Sequence, residues 1–149
     1  MRREKRLDYK SIEVTESGSI RTITLNRPKR RNAMTPEMQM ELIDALEEAA
    51  QSNCRVLVLA GAGEAFCAGL DLLELHAMQA NGAAEHRTDA ERIARLFLAL
   101  YDMPVPTIAS VHGAAIAGGV CLVVYLVLMI LTWVNLGGVM KIVERMNLR

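Results

Sequence analysis

Residues 55–71 read RVLVLAGAGEAFCAGLD, and the fold turns on how this stretch is divided. The first six residues are an uninterrupted apolar run, as expected of a strand covered on both faces. Residues 61–69 then form a loop of small residues. The same plan recurs at 107–119, where TIASV reads as a strand and HGAAIAGG as a second small-residue loop. Upstream, residues 11–14 and 20–25 read as short strands, with Glu16, Ser17 and Gly18 as the turn. In the second of these, Ile20, Thr22 and Thr24 face one way and Arg21, Ile23 and Leu25 the other. Pro28 ends it, because proline has no N–H to give to a ladder.

Two helices separate the strands. Thr35-Pro36 supplies a hydroxyl N-cap followed by proline in the first turn. From there to residue 50, Met38, Leu42, Ala45, Leu46 and Ala49 recur at three- and four-residue spacing and predict one apolar face. Glu37, Glu41, Asp44, Glu47 and Glu48 occupy the rest and read as a wet face. A second helix is expected from about residue 88 to 101, with Ile93, Leu96, Phe97 and Leu100 inward, ended by Pro104 and Pro106. Strand, helix, strand, loop, helix, strand in that order indicates an α/β domain with parallel pairing.

Composition sets outer bounds. The chain has 149 residues, enough for one domain with a real core. Aromatics are 4% of it, so packing rests on aliphatic side chains and nine methionines. Seventeen basic and seventeen acidic residues cancel, which removes a general electrostatic case for nucleic acid. Residues 1–31 hold ten Lys/Arg against four Asp/Glu; a solvated terminus explains this more simply than an anion site. Cys54, Cys67 and Cys121 have no paired spacing, and His76, His86 and His112 form no ligand motif. No metal site, no disulfide and a reducing cytoplasm are therefore expected.

The chemistry is expected in the two small-residue loops. Each follows an apolar strand, and glycine there lets backbone approach a ligand closely. Two such loops together could aim two N–H groups at one oxygen, which stabilises an oxyanion or enolate. Singly, such loops are commonly just tight connections. A dinucleotide turn at Gly61 and Gly63 is rejected: Phe66 stands where a third glycine is needed, and no acid lies at the required distance. No GK[ST] or GxSxG motif occurs.

Three segments, LNRPKRRNAM (25–34), AFCAGLDL (65–72) and HGAAIAGG (112–119), resemble in content and order the enoyl-CoA hydratase/isomerase (crotonase) family, over roughly the first half of that domain. The resemblance implies a crotonase-like α/β fold, a ββα spiral here truncated, with residues 1–119 as its amino-terminal part. It implies an acyl-CoA thioester as partner, with coenzyme A part of the substrate and no separate cofactor. The Leu70 and Gly118 amides would form the oxyanion hole. Backbone at Ala65, Phe66, Ala68 and Gly69 would border the adenine and pantetheine, with Arg27 and Lys29 near the phosphates. Asp71 would hold its loop by accepting N–H bonds, and Cys67 would be a buried packing residue. Complete relatives are typically homo-oligomers, but the segments that usually make those contacts fall outside the resemblance, so a homo-oligomer stays an open alternative.

The pattern breaks after Gly119. Family hydratases place a glutamate three residues past the position of Gly118, and here that residue is Cys121. Residues 120–131 are twelve consecutive apolar residues, VCLVVYLVLMIL, and no charge occurs from Gly113 to Met140. Residues 120–149 are expected to be a divergent, helical apolar tail, with a buried core helix or a membrane contact as alternatives. Three functional readings follow: an enzyme of the hydratase/isomerase type, an inactive CoA-binding remnant, or a membrane-associated protein with a vestigial site.

Overall fold

The computed structural model describes residues 9–116 together with Gly119 and Leu122. It contains a hairpin, β1 (Ile12–Ser17) and β2 (Ile20–Leu25), a 3-10 turn (Pro28–Arg30), helix α1 (Pro36–Gln51) and strand β3 (Val56–Gly61). There follow β4 (Ala65–Cys67), helices α2 (Leu72–Met78) and α3 (Ala83–Tyr101), β5 (Thr107–Ser110) and β6 (Ala114–Ala115). The main sheet has the order β1-β2-β3-β5. Among the described residues of this sheet only the hairpin is antiparallel; β2 with β3, and β3 with β5, are parallel, each joined through helix.

The hairpin is tighter than the sequence reading had it. β1 runs on to Ser17, which pairs with Ile20, so the turn is Gly18-Ser19 alone. Gly18 has φ +60, as the first central residue of a type II′ turn requires, and that turn matches the twist of the strands. The alternation along β2 holds: Arg21, Ile23 and Leu25 are buried, while Ile20 is exposed.

α1 starts as its cap dictates, with the Thr35 hydroxyl accepting from the Met38 amide. Met38, Leu42, Ala45, Leu46 and Ala49 are all buried and join Ile23, Leu25, Leu57 and Leu59 of the sheet in one core. Each large side chain so buried contributes about 1.5–3 kcal/mol. α3 adds Leu96 and Leu100 to this core, with Phe97 packed at its margin.

Several expectations need correction. α3 begins at Ala83 rather than near residue 88, and a further short helix, α2, precedes it. The 61–69 loop contains a strand, β4. β3 is fully buried on one face only; Val56, Val58 and Ala60 on the other are half-buried. The expected long apolar helix and the domain boundary at 119/120 fall outside the described residues. Among the described residues no helix is long and apolar enough to cross a membrane.

Candidate functional site

The two small-residue loops meet. β4 from the first pairs in parallel with β6 from the second, Ala65 with Ala114 and Cys67 with Ala115. Phe66 N donates to His112 O at 3.0 Å, and Ile116 N donates to Cys67 O at 3.0 Å. His112 Nε2 lies 2.7 Å from Gly63 O. The loops are thus knitted along their length rather than touching at one point.

Glycine makes this approach possible. Gly113 has φ +58, and a Cβ built there would sit 1.9 Å from Glu64 O. At Gly119 a Cβ would sit 2.3 Å from Cys67 O. Neither neighbour is a side chain that can swing away; both are main chain. Any larger residue would push the second loop off the first.

The first loop is held from its other side by the 25–34 segment. Pro28 opens the 3-10 turn, after which Arg31 and Asn32 both take left-handed φ values, 50 and 54. Asparagine tolerates that conformation better than most residues. The reversal carries the Asn32 side chain inward, where it is fully buried. Its Nδ2 reaches Ala62 O and Ala65 O at 2.8 Å and Phe66 O at 3.2 Å. Its Oδ1 accepts from Arg27 N at 2.9 Å. One amide side chain therefore satisfies carbonyls on both sides of the bend between β3 and β4. The sequence reading passed over Asn32. The available signal was an asparagine between a proline-led turn and a helix cap, at a position suited to a left-handed residue.

Around residue 70 the main chain is almost fully engaged. Ala68 N donates to Arg31 O at 2.9 Å, Gly69 N to Cys67 Sγ at 3.4 Å, and Asp71 N to Met34 O at 3.0 Å. The Leu70 amide between them has no acceptor among the described residues. Met34 N donates to Gly69 O at 2.7 Å. In a trans peptide the C=O and N–H point opposite ways, so the Leu70 N–H points away from Met34. Gly69 takes φ +90 to make this turn. Gly118, the other expected donor, and Cys121 lie outside the described residues.

The remaining expected residues divide by environment. Ala65 and Phe66 are buried, with their carbonyls on Asn32 and the Phe66 amide on His112. Ala68 is half-buried and Gly69 buried. Lys29 is exposed on the 3-10 turn, beside exposed Arg30 and Arg31, and none of the three has an ion-pair partner among the described residues. Arg27 is partly buried, with Nη1 on both Ala33 O and Asp71 Oδ2, the latter at 3.1 Å. Asp71 is buried, and its Oδ1 caps α2 by accepting from Leu73 N at 3.0 Å. Desolvation pushes the Asp71 carboxyl up, but hydrogen bonds from Leu73 and Arg27, with the charges of Arg27 and Arg30, outweigh it. The group is held below the usual carboxylate range. Cys67 is fully buried, and desolvation raises its thiol despite the Gly69 N–H that it accepts. A protonated, inaccessible thiol is not a nucleophile.

Comparison with known proteins agrees with this geometry. Residues 15–132 match the model of the family described as enoyl-CoA hydratase/isomerase. A Thermus thermophilus protein named as an enoyl-CoA hydratase is 42% identical over 105 residues, which cover 70% of this chain and 42% of that protein. The mouse mitochondrial Delta(3,5)-Delta(2,4)-dienoyl-CoA isomerase is 36% identical over 131 residues, covering 78% of this chain and 38% of that protein. The crystal structure of an enoyl-CoA hydratase from Shewanella pealeana superposes with a TM-score of 0.77 at 30% identity, over 79% of this chain and 45% of that one. The chain thus spans about two fifths of the length of the curated relatives it matches. With the knitted loops and these matches together, the chain belongs to the enoyl-CoA hydratase/isomerase family.

Proposed function

We propose that the chain binds an acyl-CoA thioester and polarises its carbonyl between the amides of Leu70 and Gly118, as an enzyme of the hydratase/isomerase type. One observation carries this reading. Between Ala68 and Asp71, the Leu70 N–H alone is unclaimed among the described residues, and it stands three residues beyond Cys67, where the first loop is knitted to the second. A thioester oxygen would complete it. As negative charge develops on that oxygen, a preorganised donor stabilises the charge without reorganisation at the moment of reaction.

The rest of the site serves positioning. Lys29 is exposed and without an ion-pair partner among the described residues, two positions before Arg31, whose carbonyl accepts from the Ala68 amide. It would meet coenzyme A phosphates, with the Arg27 guanidinium contributing charge from behind. Pantetheine and adenine would lie along the half-buried main chain at Ala68, with Ala65, Phe66 and Gly69 buried behind it. Asp71 holds the loop and does not move protons, because its carboxyl is already engaged and stays ionised.

Calorimetry with butanoyl-CoA and with free coenzyme A tests the binding claim. Saturable thioester binding is expected, weakened on replacing the Leu70 amide by an ester, which removes this donor and also weakens Gly69 O as the acceptor of Met34 N. The turnover of an enoyl-CoA, where present, should fall about 10²–10³-fold with the same replacement. Absence of thioester binding would overturn the assignment. A second reading, CoA binding without turnover, is favoured by Cys121 at the position where the family hydratases carry a glutamate. Measurable hydration or isomerisation would eliminate it.

A further inference from the structure

We infer that Arg27 and Asp71 act as a positioning pair that fixes the aim of the Leu70 amide. The inference rests on the thioester reading above. Two segments run side by side here, 33–34 and 69–71, joined by a one-residue parallel bridge between Met34 and Leu70. Met34 supplies both backbone bonds of that bridge, one to Gly69 O and one from Asp71 N. A single rung is a hinge as much as a clamp, because the Gly69–Leu70 peptide can still tilt about it.

The Arg27 guanidinium adds the second rung. Its Nη1 binds Ala33 O, immediately before Met34, and Asp71 Oδ2, immediately after Leu70. The same two segments are therefore tied at adjacent positions, once by main chain and once by side chain. Asp71 is anchored in turn at the start of α2 through Leu73 N, and the Arg27 backbone N–H is pinned by Asn32. Neither partner can drift without breaking another bond.

Electrostatics argues that what the pair adds beyond an apolar contact is geometry. Its side chains are 25% and 9% exposed, and a buried ion pair is commonly no more stabilising than apolar residues of the same volume. What such a pair supplies is register, because charge-assisted bonds are short and directional. The part of the chain whose register it sets is the peptide bearing the unclaimed N–H. A misplacement of about 1 Å in a reacting geometry can cost on the order of 100-fold in rate.

The test reads carbonyl polarisation directly, using butanoyl-CoA labelled with 13C at the thioester carbonyl and difference infrared spectroscopy on the full chain. In the unmodified protein the bound carbonyl stretch should move to lower frequency than in free thioester. Asp71→Asn keeps a side chain able to cap α2, removes the charge and leaves the phosphate-binding cations in place. It should leave free coenzyme A affinity within about threefold, while at least halving the carbonyl shift. Arg27→Lys keeps the cation and should restore more of the shift than Arg27→Met. A full shift in both Asp71→Asn and Arg27→Met would overturn the positioning role. Equal loss of shift and of free coenzyme A binding in Asp71→Asn would reduce the pair to a structural brace. Failure of the unmodified protein to bind the thioester would instead sink the functional reading itself.

Discussion

The two loops that meet at the site are built by opposite means. The first, residues 61–71, is braced by side chains: Asn32 on three carbonyls, Cys67 on Gly69 N, and Arg27 through Asp71. The second, where Gly113 and Gly119 sit, is held chiefly by main chain and by the absence of side chains, since both glycines lie against backbone of the first, with the His112 ring on Gly63 O as a side-chain contact at its start. The difference teaches that one surface of the site is specified by what is present and the other by what is missing. The first should fail on deletion of atoms, the second on their addition.

The largest effect should therefore come from adding one carbon. Gly113→Ala places a Cβ against Glu64 O and forces an alanine into left-handed φ. Neither cost has an escape, because the obstructing atom is main chain held by the β4–β6 pairing. Destabilisation of about 3 kcal/mol or more is expected in urea unfolding, with failure to accumulate as folded protein as the extreme case. Gly18→Ala is the matched control, because it shares positive φ but meets nothing within 4 Å. It should cost only the conformational part, about 1 kcal/mol. If the two variants were equally destabilised, close approach would not be what holds the second loop.

Next in size is Asn32→Ala, the deletion counterpart in the first loop. It removes every bond to Ala62, Ala65 and Phe66 carbonyls in a buried place, and leaves a non-glycine residue in left-handed φ. A loss of about 2–3 kcal/mol is expected, because buried acceptors left without donors carry their full desolvation cost. Asn32→Gly relieves the backbone term alone, so recovery of part of the stability on going from alanine to glycine would separate the two contributions. Recovery of all of it would mean the side-chain bonds contribute nothing.

These contrasts also mark what could be read from the sequence. β2 and α1 were legible because their burial follows a period, two in Arg21-Ile23-Leu25 and three to four in Met38-Leu42-Ala45-Ala49. β4 was not, because three consecutive residues are all buried and no alternation is left to detect. α2 escaped because Leu72 and Leu73 are exposed, 79% and 64%, and so trace no inward stripe. At the site, the glycine-rich loops and their pairing were expected, because glycine advertises close approach. The bracing of the first loop was not, because Asn32 acts on carbonyls some thirty residues away, and a local pattern records no such partner.

Acid should probe the charged brace. The Asp71 carboxyl is ionised in the fold down to lower pH than in the unfolded chain, where its value is the ordinary 3.8. A depressed native value contributes stability that is fully present above the unfolded value and is lost as pH falls through it toward the native one. The stability difference between the unmodified protein and Asp71→Asn should therefore be largest near neutrality and shrink on acidification below about pH 4. Denaturant unfolding at a series of pH values measures this. A difference independent of pH across that window would mean that the brace works by shape and not by charge.

The smallest effect is expected at Cys67, where side-chain and main-chain bracing overlap. Its sulfur accepts from Gly69 N and lies 3.3 Å from Asn32 O, but sulfur makes weak hydrogen bonds, and Met34 already holds Gly69 through its carbonyl. Serine can make both contacts with stronger but shorter reach, whereas alanine makes neither. Cys67→Ser should thus stay within about 1 kcal/mol of the unmodified protein, and Cys67→Ala should fall below serine by about 0.5–1 kcal/mol. Chemistry offers a parallel check. Burial raises the Cys67 thiol, so at pH 8 iodoacetamide should label half-buried Cys54 well before Cys67 in the folded chain, with the order lost in urea. Early labelling of Cys67 would show that the first loop opens readily on its own. Its bracing would then have to be completed by whatever ligand occupies the Leu70 amide, and the contrast between a side-chain-held loop and a glycine-held one would apply only to the liganded protein.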